Sequence, residues 1–376
     1  MIKQKTNTIK STKKDIVFSR IIEQTNWRTR QDVDTWRTAI ATAENLSHPQ
    51  RLQLYALYDE ILLDAHVQGL LSQRVNKLLA QKFKIIDSTG NECRLSKQLF
   101  ESSWFYKFIE LALESRWYGH SLIQLWDSNK KGYEQIALVP RRHVIPECGV
   151  VAITQGDYAN GLPYRESPYC DWLIEVGTER DLGLLKVAAP AFIFKKNAML
   201  QWSQYTEVFG MPVRVGKTAS RAQVDMERMA NNLRKMGSAS YAVFQEGESI
   251  EFVESTKGDA YNVYDKLVER ANSELSKLLI GQTMTADSGS SRSQAEVHER
   301  VADSITESDK RMLQFIINDQ LLPKMAKQGF DVTGCKFEWA VSTDLDALWS
   351  KTKDALSHYK VDAAWIQRTF GIPVQQ

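Results

Sequence analysis

The chain has 376 residues, 43% hydrophobic and 25% charged, a globular composition that excludes disorder throughout. Its 48 Lys and Arg stand against 46 Asp and Glu, for a formal net charge of +2. That excludes a protein that coats nucleic acid through overall basicity, while leaving local basic patches possible.

Length predicts two or three domains, or one elaborated one. Cys93, Cys148, Cys170 and Cys335 form no C-x-x-C pair. They suit neither a zinc ribbon nor a disulfide scaffold, and a reducing cytoplasm is the simpler reading. The longest uninterrupted apolar run, Val187 to Phe194, contains Pro190 and falls far short of the roughly 20 residues of a membrane span. A soluble chain without a secretory signal is expected.

Residues 1–14 carry five Lys and no acid. They read as a solvated, frayed tail or as an arm for nucleic acid or a neighbouring subunit. The first long helix is predicted after Pro49, capped by Ser47 or His48, with Leu54, Leu57, Ile61, Val75 and Leu78 at helical spacing. A second is predicted over Ser96 to Arg116, with Phe100, Trp104 and Phe108 inward. The period then shortens. His120–Trp126, Tyr133–Val139, Arg142–Ile145, Val150–Thr154 and Trp172–Val176 read as strands of an antiparallel sheet, separated by turn-rich stretches. The fold class is α+β.

From Pro190 onward the pattern is helical again. A helix over Ala198 to Phe209 stops at Gly210 with Pro212 beyond. Residues 211–256 read as a β-α-β-β insert: a strand at Pro212–Lys217, a helix from Ser220 to Met236, and a hairpin of Tyr241–Gln245 with Ser249–Glu254. A helix from about Gly258 to Ile280 ends at Gly281. The small, polar stretch 281–294 follows, then a long helix from about Ala295 to Lys327. The tail holds a strand at Cys335–Val341, a helix at Asp344–Tyr359 and a short helical stretch at Asp362–Thr369.

No catalytic constellation is recognisable: the chain has no G-x-S-x-G, no H-E-x-x-H, and six dispersed His. The Gly-Ser loop lacks the Gly-Lys-Ser/Thr ending of a nucleotide loop; it reads as a mobile loop or as a contact for a passing polyanion. Between Ala295 and Asp309 stand Glu296, Glu299, Asp303, Glu307 and Asp309 against Arg300. That face would repel a DNA backbone, or it is simply a solvated helix face whose acids suit its N-terminal end. Asp303 and Glu307, one turn apart, are the candidates for a shared Mg²⁺ in a nucleic-acid-processing enzyme. In the insert, Arg214, Lys217, Arg221, Arg228, Arg234 and Lys235 outnumber two acids over 211–236, whereas 241–256 has four acids, Glu246 and Glu248 among them, and no base. Such opposite charges serve either head-to-tail docking of subunits or pairing within the insert.

Four segments, in this order, resemble one family. They are RLQLYALYDEILLDAHVQGLLSQRVNKLLAQKFKI (51–85, with the spacing of Asp64, Arg74 and Val75), RWYGHSLIQLWD with YEQIALVPRRHVIP (116–146), WSQYTEVFGMPVRVGK (202–217) and LIGQTMTADSGSSRSQAEVHERVADSI (279–305). Over roughly 50–340 the chain resembles the Mu-like branch of the portal proteins of tailed phages.

The resemblance implies a portal-type α+β fold that closes into rings of about twelve subunits. Residues 1–47 would be an N-terminal arm and 48–190 the first part of an α/β wing. Stem helices would span 191–210 and 257–281, with the clip, 211–256, between them. A tunnel loop would occupy 282–294, a long helix and the rest of the wing 295–343, and a short crown-like segment 344–376. The resemblance places Thr283, Met284, Thr285, Asp287, Ser288, Ser290, Ser291 and Arg292 towards DNA. It places the charged residues of the insert towards partners and Glu296, Glu299 and Asp303 near the channel. It implies no enzyme activity, cofactor, metal or membrane. Double-stranded DNA would pass through the channel, and the implied partners are the large terminase, the major capsid protein and head–tail adaptor or neck proteins. The location would be the portal vertex of the virion, after assembly in the host cytoplasm. Another head–tail connector or minor virion protein is the alternative.

Overall fold

The computed structural model describes residues 16–22, 32–129, 132–157, 159–209, 214–220, 222–235, 241–245, 260–283, 292–340, 345–359 and 361–371. The basic tail 1–14 lies outside them. Residues 16–22, inside the expected arm, are docked: Val17 is fully buried, and its N–H donates to the Gln124 side chain at 3.0 Å. The arm also contains helix α1 (Val33–Ala43), which the sequence reading missed. Asp32 starts it by accepting the Thr35 N–H, and Ala39 and Ala43 are buried.

The helix expected after Pro49 is two helices, α2 (Leu52–Ile61) and α3 (Ala65–Leu79). Asp64 has extended backbone, and its carboxylate accepts the His66 and Val67 N–H groups. An acid in that geometry begins a helix. Neither Ser47 nor His48 caps α2; their N–H groups are taken by the Asn45 side chain in a turn. Strand β1 (Phe83–Ile86) follows.

The helix expected over Ser96 to Arg116 is likewise divided, into α4 (Arg94–Phe100), α5 (Ser103–Leu113) and α6 (Ser115–Tyr118). Ser102 is extended, and both its hydroxyl and the Trp104 indole donate to the Leu99 carbonyl, satisfying an acceptor that the helix would otherwise use.

The strand region matches its expected period with three corrections: Gly161–Pro163, in the stretch Gly156–Pro163 read as a turn, is a strand; Arg142 and His143, read as the start of a strand, lie in a 3-10 turn; and the strands make two sheets where one was expected. Strands β2 (His120–Asn129) and β3 (Gly132–Leu138) are followed by β4 (Val144–Ile145), β5 (Val150–Ala152), β6 (Gly161–Pro163) and β7 (Leu173–Gly177). They form two antiparallel three-stranded sheets, ordered β3-β2-β7 and β4-β5-β6. Val17, Leu122, Val139, Val151, Leu162 and Tyr164 form one apolar cluster there. The larger core is aromatic-rich and gathers Phe100, Trp104, Phe105, Phe108, Tyr133 and Phe337.

Helix α7 runs without interruption from Gly183 to Phe209, with Pro190 inside it; the sequence reading began its helix only at Ala198. Proline has no N–H for the carbonyl four residues back. That carbonyl, on Lys186, accepts the Trp36 indole N–H at 3.0 Å. The missed helix α1 thus supplies the bond that Pro190 withholds.

Strand β8 (Arg214–Thr218), helix α8 (Gln223–Lys235) and strand β9 (Tyr241–Gln245) follow, with β8 and β9 paired in parallel. The second arm of the expected hairpin, Ser249–Glu254, lies outside the described residues. Helices α9 (Ala260–Ile280) and α10 (Arg292–Ile316) come next, and a π-helical turn (Ile317–Leu321) joins α10 to α11 (Leu322–Lys327). Strand β10 (Lys336–Trp339) pairs antiparallel with β1, Phe83 opposite Trp339. This pairing brings Cys93 and Cys335 to 3.8 Å, thiol to thiol. Helices α12 (Leu345–Leu356) and α13 (Ala363–Phe370) finish the chain and meet through Trp349 and Phe370.

The π turn bolts the long helix into the strand region. Asn318 accepts the Phe337 N–H and donates to the Phe337 carbonyl. Gln320 does the same with the N–H and carbonyl of Glu175. Residues two apart on a helix point to roughly opposite sides, so one turn of helix serves β10 on one side and β7 on the other.

Candidate functional site

Helices α7 and α9 form an antiparallel pair, and its register can be read from three contacts. Low on the pair, Lys195 of α7 reaches Asp64 at 2.7 Å. The neighbouring His66 meets the Ser276 hydroxyl at 2.9 Å and the Asn272 carbonyl at 3.1 Å on α9. Ten residues further along α7, Tyr205 packs on Tyr264, ring centroids 6.2 Å apart. Moving forward on α7 is therefore moving backward on α9. Asp64 joins this pair to the wing: one carboxylate starts α3 and holds the Lys195 ammonium. The adjacent Lys196 pairs with Glu60 at 2.9 Å.

The pair has unlike ends. One carries the β8-α8-β9 unit. The other runs into the 281–291 stretch, about 30 Å away along α9 at 1.5 Å per residue. At this second end α9 stops on Gly281, which has a φ of +74°. A Cβ there would lie 2.7 Å from Val301 Cγ1 and 2.9 Å from Ile305 Cδ1. Only glycine combines that backbone with so close an approach of α10.

A buried ionic node clamps the base of the loop. Arg74 of α3 donates through Nε and Nη2 to the two Asp309 carboxylate oxygens, at 2.7 and 2.9 Å, and through Nη1 to the Leu279 carbonyl at 2.8 Å. Arg116 adds a bond from Nε to Asp309 at 3.0 Å and reaches Ser308. The Asp309 side chain is 1% exposed. One guanidinium therefore ties the last turn of α9 to α10 across the loop that joins them, and the planar fork suits a bidentate carboxylate.

This node corrects the reading of Asp309 as part of a solvated acidic face. Asp309 lies four residues after Ile305 and three before Met312, on the apolar stripe of α10. An acid on such a stripe needs a buried cation; that signal was available in the sequence. Two further acids of α10 are also engaged. Asp303 pairs with Lys77 at 2.7 Å and Glu307 with Lys310 at 2.5 Å. The two candidates for a shared Mg²⁺ are thus each neutralised by a different ammonium, and no group of three His, Cys, Asp or Glu suited to a metal occurs among the described residues.

Of the expected DNA-facing residues, Thr283 is described after Gly281 and Gln282, and Arg292 opens α10. Met284, Thr285, Asp287, Ser288, Ser290 and Ser291 lie outside the described residues. Glu296 and Glu299 lie in the first turns of α10. In the insert, Arg214 and Lys217 are in β8, Arg228 pairs with Asp225 at 3.0 Å, and Arg234 and Lys235 close α8. Arg221, Glu246 and Glu248 are outside the described residues.

A second polar cluster centres on Glu175. It accepts from the His120 imidazole at 3.1 Å, the Tyr164 hydroxyl at 2.5 Å and Arg165 at 2.8 and 3.0 Å. Burial works to raise the Glu175 carboxyl, and the donors from His120, Arg165 and Tyr164 outweigh it, leaving it at about 2. Burial pushes the His120 imidazole below its ordinary range, so near pH 7 it is a neutral donor. His120 of β2 faces Glu175 of β7, and Tyr164 and Arg165 reach it from the segment just after β6. No helix among the described residues is long and apolar enough to cross a membrane.

The profile of the family described as the portal protein of Mu bacteriophage matches residues 55–372. The portal protein of Escherichia phage Mu is 23% identical over 383 residues, covering 92% of this chain and 73% of that protein. The Mu-like prophage FluMu protein gp29 of Haemophilus influenzae is 22% identical over 205 residues, covering 51% of this chain and 39% of that protein. Among solved structures, an HK97 family phage portal protein from Corynebacterium diphtheriae is similar, with a TM-score of 0.43 and 13% identity over 81% of this chain and 97% of that one. A chain from the neck of an empty GTA particle has a TM-score of 0.48 and 11% identity over 92% and 95%.

Proposed function

The chain belongs to the family of Mu bacteriophage portal proteins, and we propose from that membership and the geometry that its copies close into a ring at one vertex of a phage capsid. Double-stranded DNA enters through the central channel during packaging and leaves through it during ejection. The protein works as a structural element of the virion: its function comes from assembly geometry.

The observation that carries this reading is the clamped α7–α9 pair. It projects the insert at one end and fixes the base of a small polar loop at the other. In this reading the pair forms the stem, the 214–245 unit belongs to the clip, and the loop beyond Thr283 faces the DNA. Before ejection the clip meets the large terminase and then the head–tail adaptor, while the strand region contacts the major capsid protein. Asp303, Glu307 and Asp309 of α10 are held by Lys77, Lys310, Arg74 and Arg116, so this part of the helix offers a moving polyanion neither a basic rail nor a strong barrier. Tight phosphate contacts would slow passage, because each one retained must be broken for the DNA to advance.

The mass of the purified protein in solution tests the assembly. Closed cyclic symmetry with about twelve copies gives a particle of roughly 500 kDa. A chain that remains monomeric at every concentration, and also when produced with its capsid protein, contradicts the proposal.

A further inference from the structure

The sequence scatters its four cysteines, and the fold brings two of them together. After β1 the Asp87 carboxylate accepts the N–H groups of Thr89 and Asn91 at 2.8 and 3.0 Å, and the chain turns back. The Cys93 N–H then donates to the Ile85 carbonyl at 2.8 Å, which fixes Cys93 beside β1 and directly before α4. From the far end of the chain, the turn after α11 is closed by the Cys335 N–H on the Val332 carbonyl at 3.1 Å. The next residue, Lys336, is paired opposite Ile86. Ser96 in the first turn of α4 ties the two segments. Its hydroxyl donates to the Asp331 carbonyl at 2.9 Å and lies 3.8 Å from the Cys335 sulfur.

The two thiols therefore meet at 3.8 Å with both backbones anchored. A disulfide bond of about 2.0 Å needs the sulfurs to close by about 1.8 Å, a movement that rotation about a Cα–Cβ bond supplies. Both thiols are partly exposed, so a small oxidant reaches them. The pair is not part of a metal site: among the described residues no group of three His, Cys, Asp or Glu is suited to one. Cys148 is the more exposed thiol, and an oxidant acting by exposure alone would take it first. Proximity of a second sulfur is what sets Cys93 and Cys335 apart.

We propose that Cys93 and Cys335 form a disulfide site, kept as two thiols in the reducing cytoplasm and joined after the particle leaves the cell. The timing rests on the virion reading above; the bond rests on the geometry of this pair alone. The oxidant is a small-molecule disulfide such as oxidised glutathione. One cysteine thiolate attacks a sulfur of that reagent, forming a mixed disulfide and releasing one glutathione thiolate. The second cysteine thiolate attacks the protein sulfur of the mixed disulfide and releases the other glutathione thiolate. The two protons lost by the cysteines end on the two glutathione thiols, so the protein is oxidised by two electrons and the reagent reduced by two. The cysteines stand 242 residues apart in the sequence, and a crosslink closing so long a loop strongly restrains the unfolded chain. It fastens β10, which Asn318 already holds to the π turn, to α4 and β1. The released particle thus gains a lock that the assembling subunit lacks.

The full-length chain, treated with oxidised glutathione, alkylated and digested with trypsin without reductant, tests the bond. Tryptic peptides 85–94 and 328–336 are expected to be linked to each other, and dithiothreitol is expected to separate them. The apparent Tm of the oxidised chain should stand on the order of 5 °C above that of the reduced chain. Cys93→Ser and Cys335→Ser should each lack this rise. Separate glutathione adducts on the two cysteines overturn the proposal, as does reaction of Cys148 with Cys93 and Cys335 left as thiols. Alkylation of intact cells before lysis, set against released particles, tests the timing. Free thiols in cells and linked peptides in particles are expected; linkage already present in cells, or free thiols in particles, overturns it. The digest of the purified chain reads the same whether or not the chain closes into a ring, and the mass measurement registers failure of the ring reading separately.

Discussion

Replacing Arg74 with alanine tests the clamp at the base of the loop. The substitution removes two charge-assisted bonds to Asp309 and one to the Leu279 carbonyl. Breaking a buried ion pair from one side is worth about 3–5 kcal/mol. Asp309 keeps its bond to Arg116 at 3.0 Å, so the expected loss for Arg74→Ala is about 3 kcal/mol. Asp309→Ala leaves two guanidinium groups without their carboxylate and is expected to lose about 4 kcal/mol. The double variant should fall short of the sum by about 2 kcal/mol, because the two side chains share one interaction. Urea unfolding followed by tryptophan fluorescence measures all three, with the slope checked for constancy. Amide exchange at 279–283 should rise in each variant, because the last turn of α9 loses its tie to α10. Single losses that add to within about 0.5 kcal/mol, or an Arg74→Ala loss below that, would refute the clamp.

Other outcomes follow from the same contacts. Gly281→Ala combines a φ of +74° with a Cβ 2.7 Å from Val301; it should destabilise by about 2 kcal/mol, seen as a lower urea midpoint, and Gly281→Asn should be milder than its size suggests because Asn tolerates this backbone. Trp36→Phe removes the donor to the Lys186 carbonyl and should lose about 1 kcal/mol. Stability should fall on acidification in two windows. His120 is held below its usual 6.5, so the unfolded chain takes up a proton first as pH falls through that value. Glu175, held at about 2 against an ordinary 4.5, contributes stability that is fully present above pH 4.5 and is lost as pH falls towards 2. After allowance for its partial exposure, that contribution is about 2 kcal/mol, and Glu175→Gln should abolish the lower window in urea midpoints taken against pH. Deleting Asp287–Ser293 should leave assembly intact and impair DNA packaging or retention; an unfolded product would show that the segment is structural.

Much of the organisation was legible because periodicity reports which face of an element is buried. The strands from His120 to Val176 appeared at their period, and Gly281 marked the end of α9. Three features escaped for physical reasons. The helical pattern was read only from Pro190 onward, so the turns of α7 before it were missed, and no local rule can see a Trp36 indole arriving from 154 residues earlier in the chain to serve the carbonyl that Pro190 leaves without an N–H. The helix divisions at Asp64 and Ser102 depend on side chains turning back to their own backbone, and the apolar stripe continues smoothly through both. The parallel pairing of β8 with β9 depends on where α8 returns the chain, which an alternating pattern does not encode. For the candidate site, α9 and α10 were visible as the two helices of a helix–loop–helix design, whose stretch 284–291 lies outside the described residues, while the pairing of α7 with α9 was implied only by the resemblance. The clamp was not visible, because Asp309 was counted with its neighbours in sequence and its partners Arg74 and Arg116 come from distant helices.

Electron microscopy of the purified protein addresses the central claim most directly. Identical subunits closed around a hole are expected to appear as annuli, with the α7–α9 pairs lining a central opening and the 214–245 units gathered at one rim. Particles without an opening, both in the purified protein and at the capsid vertex of intact virions, would contradict the account.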